Sequence, residues 1–118
     1  MATHIETVKQ GEDLSVDRLK QQDFVILQRN WKSGRTELDV IAEKNSELHI
    51  IEIKTRTTDT YGFPEERITK NKLQRISIAA ENYLTNHPQF KEYIIDVLSV
   101  KINSNTAHEF FLIEDIRP

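Results

Sequence analysis

Cysteine is absent from the 118 residues, and that one absence removes disulfides, zinc–thiolate sites and cysteine nucleophiles together. Glycine and proline are scarce, three of each. No internal repeat, low-complexity tract or linker-like run is visible, and there is no glycine-rich phosphate loop and no serine in a nucleophile elbow. Uncharged apolar stretches reach only four or five residues, too short to span a bilayer, so no membrane partner is expected. The opening run from Met1 to Gln10 is mixed and polar rather than basic and then apolar. No signal peptide is expected, and a cytoplasmic location is the default. What remains is a chain long enough for one domain with a real core and too short for two.

Its composition is that of an ordinary globular protein, 37% hydrophobic and 30% charged. The formal net charge of −3 weighs against a simple nucleic-acid binder, for which a basic balance is expected. The distribution is uneven. From Lys54 to Arg75 there are six basic residues (Lys54, Arg56, Arg67, Lys70, Lys72 and Arg75) against three acids, whereas the segments on either side each carry −3. A solvated helix face would give the same run of charge, so the pattern alone decides nothing.

Hydrophobic spacing predicts a first helix over roughly Ile5 to Gln22, with Ile5, Val8, Val16 and Leu19 on one stripe and Glu12 on that same stripe. A strand is expected at Asp23–Arg29, and two more at Glu37–Glu43 and Leu48–Lys54, joined by the turn Lys44-Asn45-Ser46. Thr55–Pro64 reads as a loop. A second helix follows from about Glu65 or Thr69 to His87, ended by Pro88, with Leu73, Ile76, Ala80, Tyr83 and Leu84 on its apolar stripe. Tyr93–Ile102 and His108–Ile113 read as final strands. The order α-β-β-β-α-β-β implies an α/β fold, a central mixed sheet flanked by helices.

The sharpest chemical feature is Glu52-Ile53-Lys54, at the end of an apolar strand. Alternation puts Glu52 and Lys54 on one face. If the turn centres near Asn45–Ser46, Asp39 lies opposite Glu52; a slip of one residue would carry it to the other face. Two converging carboxylates repel, so one takes a proton or a cation sits between them. Magnesium suits such a site, because it prefers oxygen ligands and keeps several waters. The carbonyl of Ile53 offers a further oxygen, and Glu12 could reach the same ion from its helix. Lys54 would stand beside the ion and its water, to position or deprotonate that water or to stabilise charge on a phosphate. The competing reading is plain: an E-x-K on a strand also arises as a salt-bridged pair on a solvated face. Glu37 is either a supporting acid or a solvent-facing residue. His4, His49, His87 and His108 share no ligand spacing, so a histidine metal site is not expected.

Gly11-Glu12, Gln28-Arg29-Asn30-Trp31-Lys32, Glu37-Leu38-Asp39-Val40-Ile41 and Ile51-Glu52-Ile53-Lys54-Thr55-Arg56 follow one another in the order and spacing of a known family. Tyr61-Gly62-Phe63-Pro64-Glu65-Glu66, Lys72 with Arg75, Ala80 with Tyr83-Leu84, and Asp96-Val97 continue the match. Over roughly Gly11 to Val100 the chain resembles the YraN-like family of predicted endonucleases. That family looks like a branch of the PD-(D/E)xK nuclease superfamily, near the Holliday-junction resolvases. The resemblance implies a restriction-endonuclease-like core in which Asp39 is the metal-binding aspartate, Glu52 the second acid, Lys54 the catalytic lysine and Glu12 the helical glutamate. It implies Mg2+ or Mn2+ as cofactor and DNA as partner, with Arg56, Lys72 and Arg75 approaching the phosphate backbone. Arg29 and Lys70 join these as candidate nucleic-acid contacts. Three positions depart from the family pattern: Val8 and Thr36 stand where glycines recur, and Ile94 replaces a common arginine before Asp96.

The leading expectation is therefore a metal-dependent endonuclease that hydrolyses phosphodiester bonds of DNA, branched or structured DNA included. A homodimer would suit an enzyme making two cuts. The alternatives are a binding module that keeps the scaffold without turnover, with Trp31 and Tyr61 as stacking residues, or an assembly factor, which would suit a sequence pI near 5.8.

Overall fold

The computed structural model describes residues 3–57, 68–103 and 108–117, and of His4 the backbone alone. Seven elements follow in the expected order: α1 (His4–Gln21), β1 (Val25–Ser33), β2 (Thr36–Lys44), β3 (Glu47–Thr57), α2 (Lys70–Thr85), β4 (Tyr93–Ile102) and β5 (Glu109–Ile113). The loop expected over Thr55–Pro64 is strand at its start, since β3 continues to Thr57, and residues 58–67, Tyr61 to Glu66 and Arg67 among them, lie outside the described residues.

Helix α1 begins at a reciprocal cap. Thr3 accepts a hydrogen bond from the Glu6 amide at 3.1 Å, and the Glu6 carboxylate accepts from the Thr3 amide at 3.3 Å. It ends where Asp23 turns the chain at φ 70° and the Phe24 amide donates to the Leu19 carbonyl at 3.0 Å. Its burial starts later than the spacing predicts. Ile5 is 80% exposed and Val8 37%, while Gly11, Ser15, Val16 and Leu19 are buried. The first two turns therefore contribute nothing to the core, and a side chain at Val8 meets no crowding.

The strands form one mixed sheet in sequential order, antiparallel except for the parallel pair β3–β4. Asn45 and Ser46 take φ 54° and 65°, the mirror-image turn that matches the twist of a hairpin. That turn sets the register Lys44↔Glu47, Ala42↔His49, Val40↔Ile51. The parallel pairing of β3 and β4 needs a crossover, and α2 lies within it. Val40, Ala42, Ile51 and Leu98 pack with Val16 and Leu19 of α1. Ile41, Leu48, Ile50 and Val97 pack with Leu73, Ile76 and Ala80 of α2. The sheet thus has a helix layer on each face, as the element order implies.

Buried Asp96 takes the His49 Nδ1 at 2.7 Å on one oxygen and the Asp115 amide at 2.9 Å on the other, tying the C-terminal segment to β4.

At Gly11 helix α1 lies close against β3. A Cβ built there would meet the Thr55 side chain, with Cγ2 at 2.6 Å and Cβ at 2.9 Å. Gly11→Ala is expected to destabilise the fold by about 1–3 kcal/mol, and Thr55→Ala in the same chain should recover part of the loss. Equal melting temperatures for Gly11→Ala and wild type would contradict this packing.

Candidate active site

The two-stranded ladder of β2 and β3 runs from Lys44↔Glu47 to Val40↔Ile51. One step further, Asp39 stands across from Glu52, as the turn position requires. Side chains take over from the ladder here. The Asp39 amide donates to Glu52 Oε2 at 3.3 Å, and the Ile53 amide donates to Asp39 Oδ2 at 2.8 Å. On its other side β3 remains paired with β4 as far as Thr57↔Ile102. The carboxylates of Asp39 and Glu52 are thus fixed to backbone at the point where β2 and β3 separate. Glu52 shares the face of Leu48 and Ile50, turned to α2, and is only 2% exposed.

Burial at this fork disfavours charge on both acids. It pushes the Glu52 carboxyl up to about 7, and the neighbouring Asp39 charge adds to the rise. Asp39 is also raised by burial, although the hydrogen bond from Ile53 and the charges of Lys72 and Lys54 pull the other way. Half-buried Lys54 projects on the Glu52 face and acts on both carboxylates. From the opposite layer comes Glu12, one residue after Gly11. It is half-buried, and burial and the charge of Asp39 raise it above the ordinary carboxylate range. The structure therefore brings Asp39, Glu52, Lys54 and Glu12 into one electrostatic neighbourhood. Exposed Glu37 borders it, its charge felt at both Glu12 and Asp39.

Two members were not placed here by the sequence. Lys72, expected only near a phosphate backbone, sits in the first turn of α2 with its Nζ 3.8 Å from Glu52 Oε1. Spacing carried part of its signal, since position 72 precedes Ile76 by one helical turn on the stripe that faces the sheet, but not which strand residue lies beneath it. Asn30 is the other. It lies between the pairs Arg29↔Val40 and Trp31↔Leu38, hence across from Asp39, adopts φ 52° and hydrogen-bonds Glu12 through its side chain.

The remaining candidates are dispersed. Arg29 pairs with Asp13 of α1 at 2.8 Å and so also bridges α1 to β1. Arg56 is half-buried on β3, while Lys70 and Arg75 are exposed on α2. Trp31 packs edge-on against Tyr83, 5.3 Å between ring centres, which makes it a core residue at the strand's end rather than a free stacking platform. Tyr61 lies outside the described residues.

Among the described residues no three acidic or imidazole side chains group closely enough to hold an ion by themselves. Two carboxylates fixed at a fork nevertheless suit magnesium or manganese, which take one or two carboxylates and fill the remaining positions with water and substrate phosphate. They do not suit a closed four-ligand structural zinc site.

Among the described residues no helix is long and apolar enough to cross a membrane. The pattern of the uncharacterised protein family UPF0102 matches residues 11–100. A UPF0102 protein of Bacteroides fragilis is 45% identical over 84 residues, 71% of this chain and 69% of its own length. One from Chloroherpeton thalassium is 33% identical over 123 positions, covering 98% and 95% of the two chains. A third, from Dictyoglomus thermophilum, is 39% identical over 101, with 85% and 86% covered. The matched segment runs from the glycine that seats α1 on the sheet to the last buried residue of β4, and holds every residue of the fork: the chain belongs to the UPF0102 family.

Proposed function

We propose that the protein is a metal-dependent endonuclease of restriction-endonuclease-like fold that hydrolyses phosphodiester bonds of DNA. The observation that carries this reading is the fork itself. Glu52 is buried and Asp39 half-buried, both are fixed to backbone, and burial outweighs the positive charges of Lys54 and Lys72 beside them. A purely structural sheet has no use for two such acids, because a buried pair of like charges is costly.

Asp39 and Glu52 would hold Mg2+ or Mn2+, with Glu12 and the Ile53 carbonyl as the nearest further oxygens. Bound there, the ion would supply Lewis acidity to a phosphoryl oxygen and a water of lowered pKa. Lys54 brings a positive charge to the same face, where it orients the attacking water and offsets charge growing on the phosphate. The water oxygen forms the new bond to phosphorus and the bond to the 3′ oxygen breaks, leaving a 5′ phosphate and a 3′ hydroxyl. Lys70, Lys72 and Arg75, in the first turns of α2, supply positive charge for the backbone on either side of the cut. Arg56 lies two residues beyond Lys54 and would extend that row along β3.

The competing reading is a nucleic-acid-binding or assembly module without turnover. One observation favours it: among the described residues the acids form no three-membered ligand group. Incubation with duplex, branched and single-stranded DNA in Mg2+ or Mn2+ separates the two. Cleavage that stops on chelation and leaves 5′ phosphates is the expected result. Binding without cleavage on every substrate would remove the enzyme reading.

A further inference from the structure

Lys72 has a role at the fork that a general phosphate contact does not explain. Its ammonium stands 3.8 Å from Glu52 Oε1, with a side chain 41% exposed against 3% for its partner. One end of the ion pair is anchored in the protein and the other is free to move into water. Its backbone is fixed, because the Lys72 amide donates to the Thr69 hydroxyl at 3.2 Å in the cap of α2. The first turn of that helix carries Lys70 and Lys72 and no acid. Cations are unfavourable at a helix N-terminus, so the placement needs compensation from outside the helix. Glu52, across the layer boundary, is the group in position to give it.

We propose that Lys72 is a tethered counter-ion of the acid pair, which a divalent ion must displace from Glu52 in order to bind. Resting on the nuclease reading above, this inference deepens it by making metal occupancy depend on where Lys72 lies. Without substrate, Lys72 competes with the ion for Glu52. A phosphodiester that draws the ammonium outward vacates the carboxylate, so phosphate and metal reinforce one another's binding. Such coupling is reciprocal by thermodynamic necessity. It also disfavours a loaded site in the absence of nucleic acid. In this role Lys72 is a positioning residue that acts through Glu52.

The test measures Mn2+ affinity in the absence of DNA for the full chain, by calorimetry or by loss of the free-ion EPR signal, in wild type, Lys72→Met and Lys72→Arg. Removing the unit charge that stands beside the Glu52 carboxylate is expected to tighten binding roughly 5- to 50-fold in Lys72→Met. Lys72→Arg, which keeps the charge, should stay near wild type. A merely structural lysine would not produce a gain of affinity. Wild-type binding that is unchanged or weaker in Lys72→Met would overturn the counter-ion role and leave the nuclease reading standing. Equal tightening in Lys72→Arg would overturn it too, because the charge would then not be the cause. No Mn2+ binding by any of the three proteins would overturn both this inference and the metal site it rests on.

Discussion

An Asp39→Asn protein is expected to cleave DNA on the order of 10³-fold more slowly than wild type, since the ion's contribution is several kcal/mol and each tenfold in rate is about 1.4 kcal/mol. The same protein should melt at a higher temperature when metal is absent. Both effects have one origin. The Asp39 carboxylate is held where burial and Glu37 oppose its charge, and the Ile53 amide that donates to it at 2.8 Å can donate equally well to an asparagine oxygen. Asparagine therefore keeps the link between the strands and removes the unfavourable charge. It also removes the proposed metal ligand, so the gain in stability and the loss of turnover are expected to come together. Lower stability and lost activity together would instead mean that the substitution had damaged the fork, and the loss would then say nothing about chemistry. Unimpaired cleavage would show that Asp39 is not a ligand.

The stability of the metal-free protein is expected to fall as pH rises through the neutral range. Glu52 binds its proton more tightly in the folded protein, with a pKa near 7 against 4.5 for the free side chain. Between those values the folded state carries more protons than the unfolded one, so the stabilisation is complete below 4.5 and lost as pH passes 7. Glu52→Gln lacks this dependence. At pH 8 the variant should be the more stable by about 1–3 kcal/mol, and the difference should shrink towards zero in acid. Parallel stability curves for the two proteins would contradict the buried charge. Adding Mg2+ should act most strongly at the alkaline end, because a carboxylate must lose its proton to hold the ion.

The hairpin shows why much of the fork was legible in the sequence. Asn45 and Ser46 adopt the left-handed turn that their position between two apolar runs suggests, and a two-residue turn leaves a single register. Asp39 then faces Glu52 by counting alone. Strand β4, with its unbroken buried run, was readable to the residue, from Tyr93 to Ile102. By contrast β1 runs to Ser33, beyond the expected end at Arg29. It is an edge strand in which Gln28, Arg29, Asn30 and Lys32 are exposed, so no alternation of apolar residues marks its end. At the start of α1, Ile5 and Val8 carry helical periodicity without burial, because the sheet receives the helix only from Gly11 onward. Spacing reports which face a residue occupies and not how far the neighbouring layer extends.

Lys72 and Asn30 were hidden for a different reason. Each reaches the acids across the boundary between two elements, Lys72 from α2 to β3 and Asn30 from β1 to α1. No local pattern records which helix turn lies above which strand residue. The family resemblance pointed to Lys72 as a basic position and left open what it touches. A contact at 3.8 Å with a nearly inaccessible carboxylate changes its meaning from surface charge to a part of the site.

The central claim is that Asp39 and Glu52 bind a divalent ion at the fork. Its most direct test is titration of the protein with Mg2+ and Mn2+ followed by NMR, with Asp39→Ala as control. The expected result is saturable Mg2+ shifts and Mn2+ broadening confined to amides around Asp39, Glu52, Ile53 and Lys54, absent from the Asp39→Ala spectra. Spectra that stay unchanged at millimolar ion, or changes that persist undiminished in Asp39→Ala, would contradict it.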